Sequence, residues 1–373
     1  MTSLDRMRYA LALARRGYGM TSPNPMVGAA LVKAGKIIGR GWHRRAGMPH
    51  AEIEALHDAH KHGNSPKGAT LYVTLEPCCT HGRTPPCTDA IISAGVKRVV
   101  VGATDPNPDH AGKGFKILKK AGIEMTHGIL ADDCAQLNES FNHWIVHRTP
   151  LVTVKAAMTL DGKIATANGE SKWITSERAR AYGMKLRQGS DAILVGVNTV
   201  LADNPSLTVR TAKPKPLRRI VLDSMARTPL TAKVITDEHA ALTTIVVTKR
   251  APAKRVAALA KRVNVLTCPP SRVTHHALRI NLPWLLKTLG SENITSLLVE
   301  GGGEVNASFL MHGFAQRVAF FYAPKILGGR DSRRAVAGEG AQSLAEVLQL
   351  TDVEWQKLGP DLLLQARVAK SAR

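Results

Sequence analysis

The stretch that decides the reading is Pro49-His50-Ala51-Glu52, followed downstream by Pro77-Cys78 and Pro86-Cys87. Two thiolates and one imidazole make three protein ligands for Zn²⁺, which leaves the fourth tetrahedral position free for water. Glu52, two residues past the histidine, is placed to move protons rather than to bind metal. Together these residues describe hydrolysis by a zinc-activated water.

Positions i and i+2 of a continuous helix point about 200° apart. His50 and Glu52 therefore share a site only if the metal sits at a helix N-terminus. Pro49 and the helix-forming run 51–56 suit that placement. Cys78 and Cys87 each follow a proline, and residues 88–94 read as another helix start, where thiolates are stabilised. Zinc would lower its water's pKa from 15.7 towards roughly 7, and Glu52 would take that proton and pass it on. His-x-Glu, then Pro-Cys and a second Cys, is the signature of zinc nucleobase deaminases. Two plainer readings stand beside it: scattered polar residues of an ordinary α/β domain, or a structural zinc with Cys79 or His81 as fourth ligand. Eight residues, 79–86, separate the two cysteines, where polynucleotide and nucleoside deaminases usually have two. A different substrate shape is expected.

At 373 residues the chain exceeds the size at which single cores stop growing, so two domains are expected. No apolar run approaches the roughly 20 residues of a membrane span. Residues 1–20 read as an amphipathic helix and not as a secretory signal, so the expected location is cytoplasmic. Five cysteines without framework spacing agree; Cys134 and Cys268 read as ordinary buried thiols. The net charge of +22 is spread from end to end, and aromatics are only 4%, so there is no stripe on which nucleic-acid bases would stack. Small anionic ligands account for the charge better, with neither nucleic acid nor membrane as partner.

Both halves alternate strand-like and helix-like segments, which argues for an α/β fold. The first half reads as a hairpin (29–33 and 36–41), a helix (51–62), a strand (69–75), a helix (88–94), a strand (98–102) and a closing helix (132–146). His147-Arg148-Thr149-Pro150 breaks the pattern, because proline restricts the residue before it, and the domain boundary is placed there, giving 1–148 and 149–373. The second half offers strands at 151–157, 192–197, 219–223, 244–248, 263–267, 296–300 and 317–322. Its helices are expected at 177–188, 253–262 and 282–289.

The run Thr74-Leu75-Glu76-Pro77-Cys78-Cys79-Thr80-His81-Gly82-Arg83-Thr84-Pro85-Pro86-Cys87 resembles the bifunctional riboflavin-biosynthesis deaminase–reductase (RibD) family. So do Ser22-Pro23-Asn24-Pro25-Met26-Val27-Gly28, Asp105-Pro106-Asn107-Pro108, Met158-Thr159-Leu160-Asp161-Gly162, the run 201–210 and Val299-Glu300-Gly301-Gly302-Gly303. The family usually has Ser and His where Cys79 and Thr80 stand, and a more neutral pair at Asp109-His110. Cys79 leaves two adjacent thiols beside the metal, of which Cys78 fits the motif.

The resemblance implies a cytidine-deaminase-like α/β/α domain followed by a dihydrofolate-reductase-like α/β domain. The first would deaminate a phosphorylated diaminopyrimidine with zinc held by His50, Cys78 and Cys87 and with Glu52 as catalytic residue. The second would reduce the ribosyl chain with NADPH. Ala157, Trp173, Thr199, Asp203, Ser224 and Gly302, Gly303, Glu304, Val305, Asn306, Ala307 and Ser308 match cofactor positions. Ser171, Arg187, Leu207, Arg210 and Glu300 match substrate positions, and Lys155 and Asp161 lie close by. Without the family, Glu300-Gly301-Gly302-Gly303 reads equally as a tight strand–helix turn, Trp173 as packing, and Arg187 and Arg210 as solvated charges. With it, the two arginines suit phosphate. The rival is a single-activity nucleotide or tRNA deaminase with an unrelated C-terminal domain. Homo-oligomerisation stays open.

Overall fold

The computed structural model describes residues 1–81, 85–212, 214–270 and 280–369, so part of the inter-cysteine loop, residues 82–84, lies outside it. The chain forms two compact units, Met1–Arg148 and Thr149–Arg373.

The first unit runs α1 (Ser3–Ala14), β1 (Gly28–Lys33), β2 (Lys36–Trp42), α2 (Ala51–Lys61), β3 (Thr70–Leu75), α3 (Cys87–Ser93), β4 (Arg98–Ala103), α4 (Lys113–Lys120), β5 (Glu124–His127), α5 (Ala131–Leu137) and α6 (Glu139–His147). Its sheet order is β2-β1-β3-β4-β5, with β1 antiparallel to both neighbours and β3, β4 and β5 parallel. Ala34 and Gly35, at φ 47° and 78°, turn the expected hairpin. Side chains alternate across the sheet, and glycines let a helix approach each face. A Cβ at Gly28 would collide with Ala10 and Ala14 of α1. At Gly39 and Gly41 it would collide with Ala51, Ala55 and Ala59, the small-residue stripe of α2. Gly41 pairs with Ala29 and Gly28 with Trp42, so α1 and α2 lie on opposite faces. The result is an α/β/α sandwich.

The closing helix expected over 132–146 is two helices. Asn138 interrupts them at φ −109°, ψ 23°, because its side chain is committed elsewhere. Its Oδ1 accepts from the Met26 N–H (2.7 Å) and its Nδ2 donates to the Met26 carbonyl (2.9 Å), which ties the Ser22–Gly28 segment down.

The second unit comprises β6 (Leu151–Thr159), β7 (Lys163–Ala165), α7 (Glu177–Gly189), β8 (Ala192–Gly196), α8 (Val197–Asp203), β9 (Arg218–Leu222), α9 (Lys233–Thr236), β10 (Thr243–Thr248), α10 (Ala253–Ala260), β11 (Asn264–Cys268), α11 (Leu282–Ser291), β12 (Ser296–Val299), α12 (Gly303–Met311), β13 (Arg317–Ala323), β14 (Arg333–Arg334), β15 (Leu350–Leu358) and β16 (Asp361–Val368). The main sheet has the order β11-β10-β9-β8-β12-β6-β13-β16-β15. It is parallel from β11 to β13 and closes with the antiparallel hairpin β15–β16. The chain crosses from β6 to β8, moves outward to β11, then returns to set β12 between them. Such a reversal opens a crevice at the carboxyl ends of the strands. Helix α11 shows how sequence builds the packing: Asn281 caps it by accepting from the Trp284 N–H, and Leu282, Leu285, Leu286 and Leu289 form its buried stripe.

Among the described residues no helix is long and apolar enough to cross a membrane.

Candidate active sites

His50 is the N-cap of α2 and Cys87 opens α3, while Cys78 lies just beyond the carboxyl end of β3. Three separate elements thus deliver three donors. The ligand atoms of His50, Cys78 and Cys87 all lie within 4.8 Å of one another. His50 Nδ1 is 3.5 Å from Cys78 Sγ and 3.3 Å from Cys87 Sγ. A tetrahedral zinc with ordinary Zn–S and Zn–N bonds sets its ligand atoms roughly 3.5–3.8 Å apart, so the cluster fits that ion. Cys79 stands outside the cluster, and burial raises its thiol pKa, away from the thiolate a ligand must be. The pKa of Cys78 is lowered to about 4, first by the Cys87 thiol and then by His50 and the Cys87 N–H. The first turn of α3 therefore aims a backbone donor at the neighbouring sulfur (3.4 Å).

Glu52, in the first turn of α2, is only 3% exposed. Burial, reinforced by the Cys78 charge, pushes its pKa up to about 7. A carboxyl poised there exchanges protons in both directions at neutral pH.

Sequence reasoning missed two supports. His43, 2% exposed, meets His50 edge to face with ring centres 5.3 Å apart. Its Nδ1 is 3.1 Å from the Pro49 carbonyl and its Nε2 is 3.2 Å from Asn24 Nδ2. The only signal was its place in Gly41-Trp42-His43, shortly before the metal motif. Glu76, also 3% exposed, accepts from the N–H groups of Asp105 (3.2 Å), Gly112 (3.0 Å) and Gly114 (3.0 Å). One carboxylate thereby fastens the loop after β4 against the segment carrying Cys78.

In the second unit, Ala157, Thr199, Ser224 and Glu300 stand at or just past the carboxyl ends of β6, β8, β9 and β12. Glu300 follows β12, and Arg187, in the last turn of α7, grips it with two parallel bonds of 2.9 Å from Nε and Nη2. Arg187 Nη1 donates to the Thr208 carbonyl (3.0 Å), so its fork is engaged within the protein. Lys155 Nζ lies 3.6 Å from the same carboxylate. Burial alone would raise the pKa of Glu300; Arg187 and Lys155 outweigh it and bring it to about 2. Arg210 is exposed.

The cofactor-matched residues divide. Gly302 caps α12, and a Cβ there would meet nothing within 4 Å, so its backbone is open to a ligand. Gly303 is closed, because a Cβ there would strike the Arg334 carbonyl. The side chains of Asn306 (0% exposed) and Ala307 (5%) turn inward, and Asn306 Nδ2 donates to the Ala335 carbonyl at 2.8 Å. Leu207 is likewise buried, with φ 53°. Ser171 Oγ lies 3.4 Å from Asp203 Oδ1. Trp173 is 63% exposed, with the Arg180 guanidinium 4.5 Å from its ring centre. Ala157, Thr199 and Ser224 are half-buried at the strand ends. Asp161 anchors the loop after β13 by accepting from the N–H groups of Leu327 (3.0 Å) and Gly328 (2.7 Å).

A zinc-type deaminase centre on an α/β/α sandwich, followed in the chain by a mostly parallel-sheet unit whose strand order reverses, defines a two-domain enzyme of the zinc deaminase class. Residues 2–103 match the cytidine and deoxycytidylate deaminase zinc-binding region, and residues 150–364 match the RibD C-terminal domain. The riboflavin biosynthesis protein RibD of Actinobacillus pleuropneumoniae is 44% identical over 364 residues, covering 98% of this chain and 95% of its own. That of Aquifex aeolicus is 46% identical over 360 residues, covering 96% of each. Among solved structures, Acinetobacter baumannii RibD superposes with a TM-score of 0.85 at 37% identity, covering 98% of this chain and 99% of its own. A diaminohydroxyphosphoribosylaminopyrimidine deaminase/5-amino-6-(5-phosphoribosylamino)uracil reductase from Thermotoga maritima gives 0.82 at 34% identity, covering 98% of each chain. The chain belongs to the RibD family, the bifunctional deaminase–reductases of riboflavin biosynthesis.

Proposed function

We propose that residues 1–148 deaminate 2,5-diamino-6-(5-phosphoribosylamino)pyrimidin-4(3H)-one and that residues 149–373 reduce the ribosyl chain of the product with NADPH, giving 5-amino-6-(5-phosphoribitylamino)uracil. One observation carries the reading: the convergence of His50, Cys78 and Cys87 beside a buried Glu52. These three residues would hold zinc, which supplies Lewis-acid activation of water. Glu52 takes one proton of the attacking water at its carboxylate and delivers it to the ring nitrogen. It then takes the second proton from the hydroxyl of the tetrahedral adduct and passes it to the departing amine, which leaves as ammonia as the carbonyl forms. His43 packs edge to face on the His50 ring and holds Asn24 at its other nitrogen, and Asn24 is assigned to the pyrimidine edge.

In the reductase unit, Ala157, Trp173, Thr199, Asp203, Ser224 and the 302–308 turn are assigned to NADPH. Gly302 and the first N–H groups of α12 face its phosphates. Ser171, Leu207, Arg210 and Glu300 are assigned to substrate. Arg187 belongs with them through Glu300, whose carboxylate it orients; Arg210 is exposed, with no partner among the described residues, and is assigned to the 5′-phosphate. The scattered positive charge suits a phosphorylated substrate carried through both steps rather than nucleic acid, and five free thiols suit the cytoplasm. Assembly into a homo-oligomer is compatible with this scheme and is not required by it. The single-activity deaminase alternative has no use for the second unit's site. The test is ammonia release and NADPH oxidation on the diaminopyrimidine phosphate; ammonia without NADPH loss contradicts the scheme.

A further inference from the structure

Thr80 and His110, 30 residues apart in sequence, are the two ends of one hydrogen bond. Thr80 Oγ1 and His110 Nε2 are 2.9 Å apart. Thr80 lies two residues past Cys78, and His110 lies on the loop that Glu76 fastens. That loop is rigid by its own bonds as well. The N–H groups of His110 and Ala111 both donate to the Asn107 carbonyl (2.9 Å each), and the Asn107 N–H donates to Asp105 Oδ1 (2.9 Å). Gly114 packs so closely on the metal segment that a Cβ there would sit 2.5 Å from the Pro77 carbonyl. Behind His110 stands Asp105, buried, with Oδ2 at 3.4 Å from Nδ1.

We propose that His110, backed by Asp105, is a positioning residue for the deaminase reaction: through Thr80 it holds the chain just beyond Cys78 and so shapes the substrate side of the zinc centre. The bond touches neither a metal ligand nor Glu52, so its loss acts on substrate binding and leaves the chemical step. The inference rests on the deaminase reading above. Ammonia release by the unaltered enzyme tests that reading separately.

The experiment compares the full-length zinc enzyme with His110→Ala, Thr80→Val and the exchange variant Thr80→His/His110→Thr. Each is measured for zinc content, rate of zinc loss to a chelator, and deaminase kcat and KM. Removing one neutral hydrogen bond should raise KM roughly 3- to 10-fold in either single variant, with kcat within about twofold. Zinc content should stay at the unaltered level, zinc loss should quicken, and the exchange variant should bring KM back to within about twofold of normal. Wild-type KM in both single variants overturns the proposal. So does an exchange variant no better than the worse single one, or a fall in kcat with KM unmoved. Should His110→Ala fail to fold, Thr80→Val breaks the same bond from its exposed end and decides the matter alone.

Discussion

Replacing Arg187 with Met tests whether the Arg187–Glu300 pair is the organising contact of the reductase site. The change removes two 2.9 Å bonds to a carboxylate that is 12% exposed, and leaves Lys155 at 3.6 Å as its only remaining cation of the cluster. Breaking a buried pair from one side costs about 3–5 kcal/mol. Lys155 retains part of the compensation, so the lower end, about 3 kcal/mol, is expected. A unit of this size shifts by about 2–4 °C per kcal/mol, so its calorimetric transition should fall by roughly 6–12 °C at pH 7. The double variant Arg187→Met/Glu300→Gln should recover at least half of that, since the buried carboxylate charge is gone and only Lys155, the more exposed partner at 19%, loses its counter-ion. The pH dependence has a definite sign. Glu300 is depressed to about 2 in the folded state, so its contribution is present above the unfolded carboxylate value near ~4.3 and is lost as pH falls towards 2. The gap between unaltered protein and Arg187→Met should therefore narrow below about pH 4. A shift under about 2 °C at pH 7, or a gap that widens in acid, would refute the reasoning.

Three shorter predictions follow from the geometry. Cys87→Ser should lose most bound zinc and all deaminase activity while Cys79→Ser keeps both, as measured by metal analysis and ammonia release. Gly41→Ala drives a Cβ into the first turn of α2, which carries His50 and Glu52; denaturant titration should show destabilisation of about 1–3 kcal/mol, with weakened zinc retention. Arg210→Ala should raise the reductase KM for the phosphorylated substrate by roughly 10-fold and leave the NADPH Kd unchanged.

Much of this was legible in the sequence because local chemistry dictated it. Pro49-His50-Ala51-Glu52 announces a helix start, and a helix start is what lets residues two apart share a metal. The hairpin over Ala34-Gly35 and the leucine stripe of α11 were equally local. What stayed hidden depended on distant partners. Asn138 reads as one more helical residue until Met26 claims its side chain. Strand β15 carries Val353, Trp355 and several charges on a largely exposed edge, so no apolar run marked it. Arg187 looked like a free phosphate fork because Glu300, more than a hundred residues away, is not visible as its partner. Likewise nothing in the sequence joins Thr80 to His110.

The central claim, two successive reactions with Glu52 as the proton carrier of the first, is tested most directly by one variant in a coupled assay. Glu52→Gln, loaded with zinc and given the diaminopyrimidine phosphate with NADPH, should release ammonia about 10²–10⁴-fold more slowly and oxidise NADPH no faster than that. Supplying the deaminated ribosylaminouracil phosphate should restore NADPH oxidation to the unaltered rate. Near-normal ammonia release by Glu52→Gln, or brisk NADPH oxidation on the undeaminated substrate, would contradict the account.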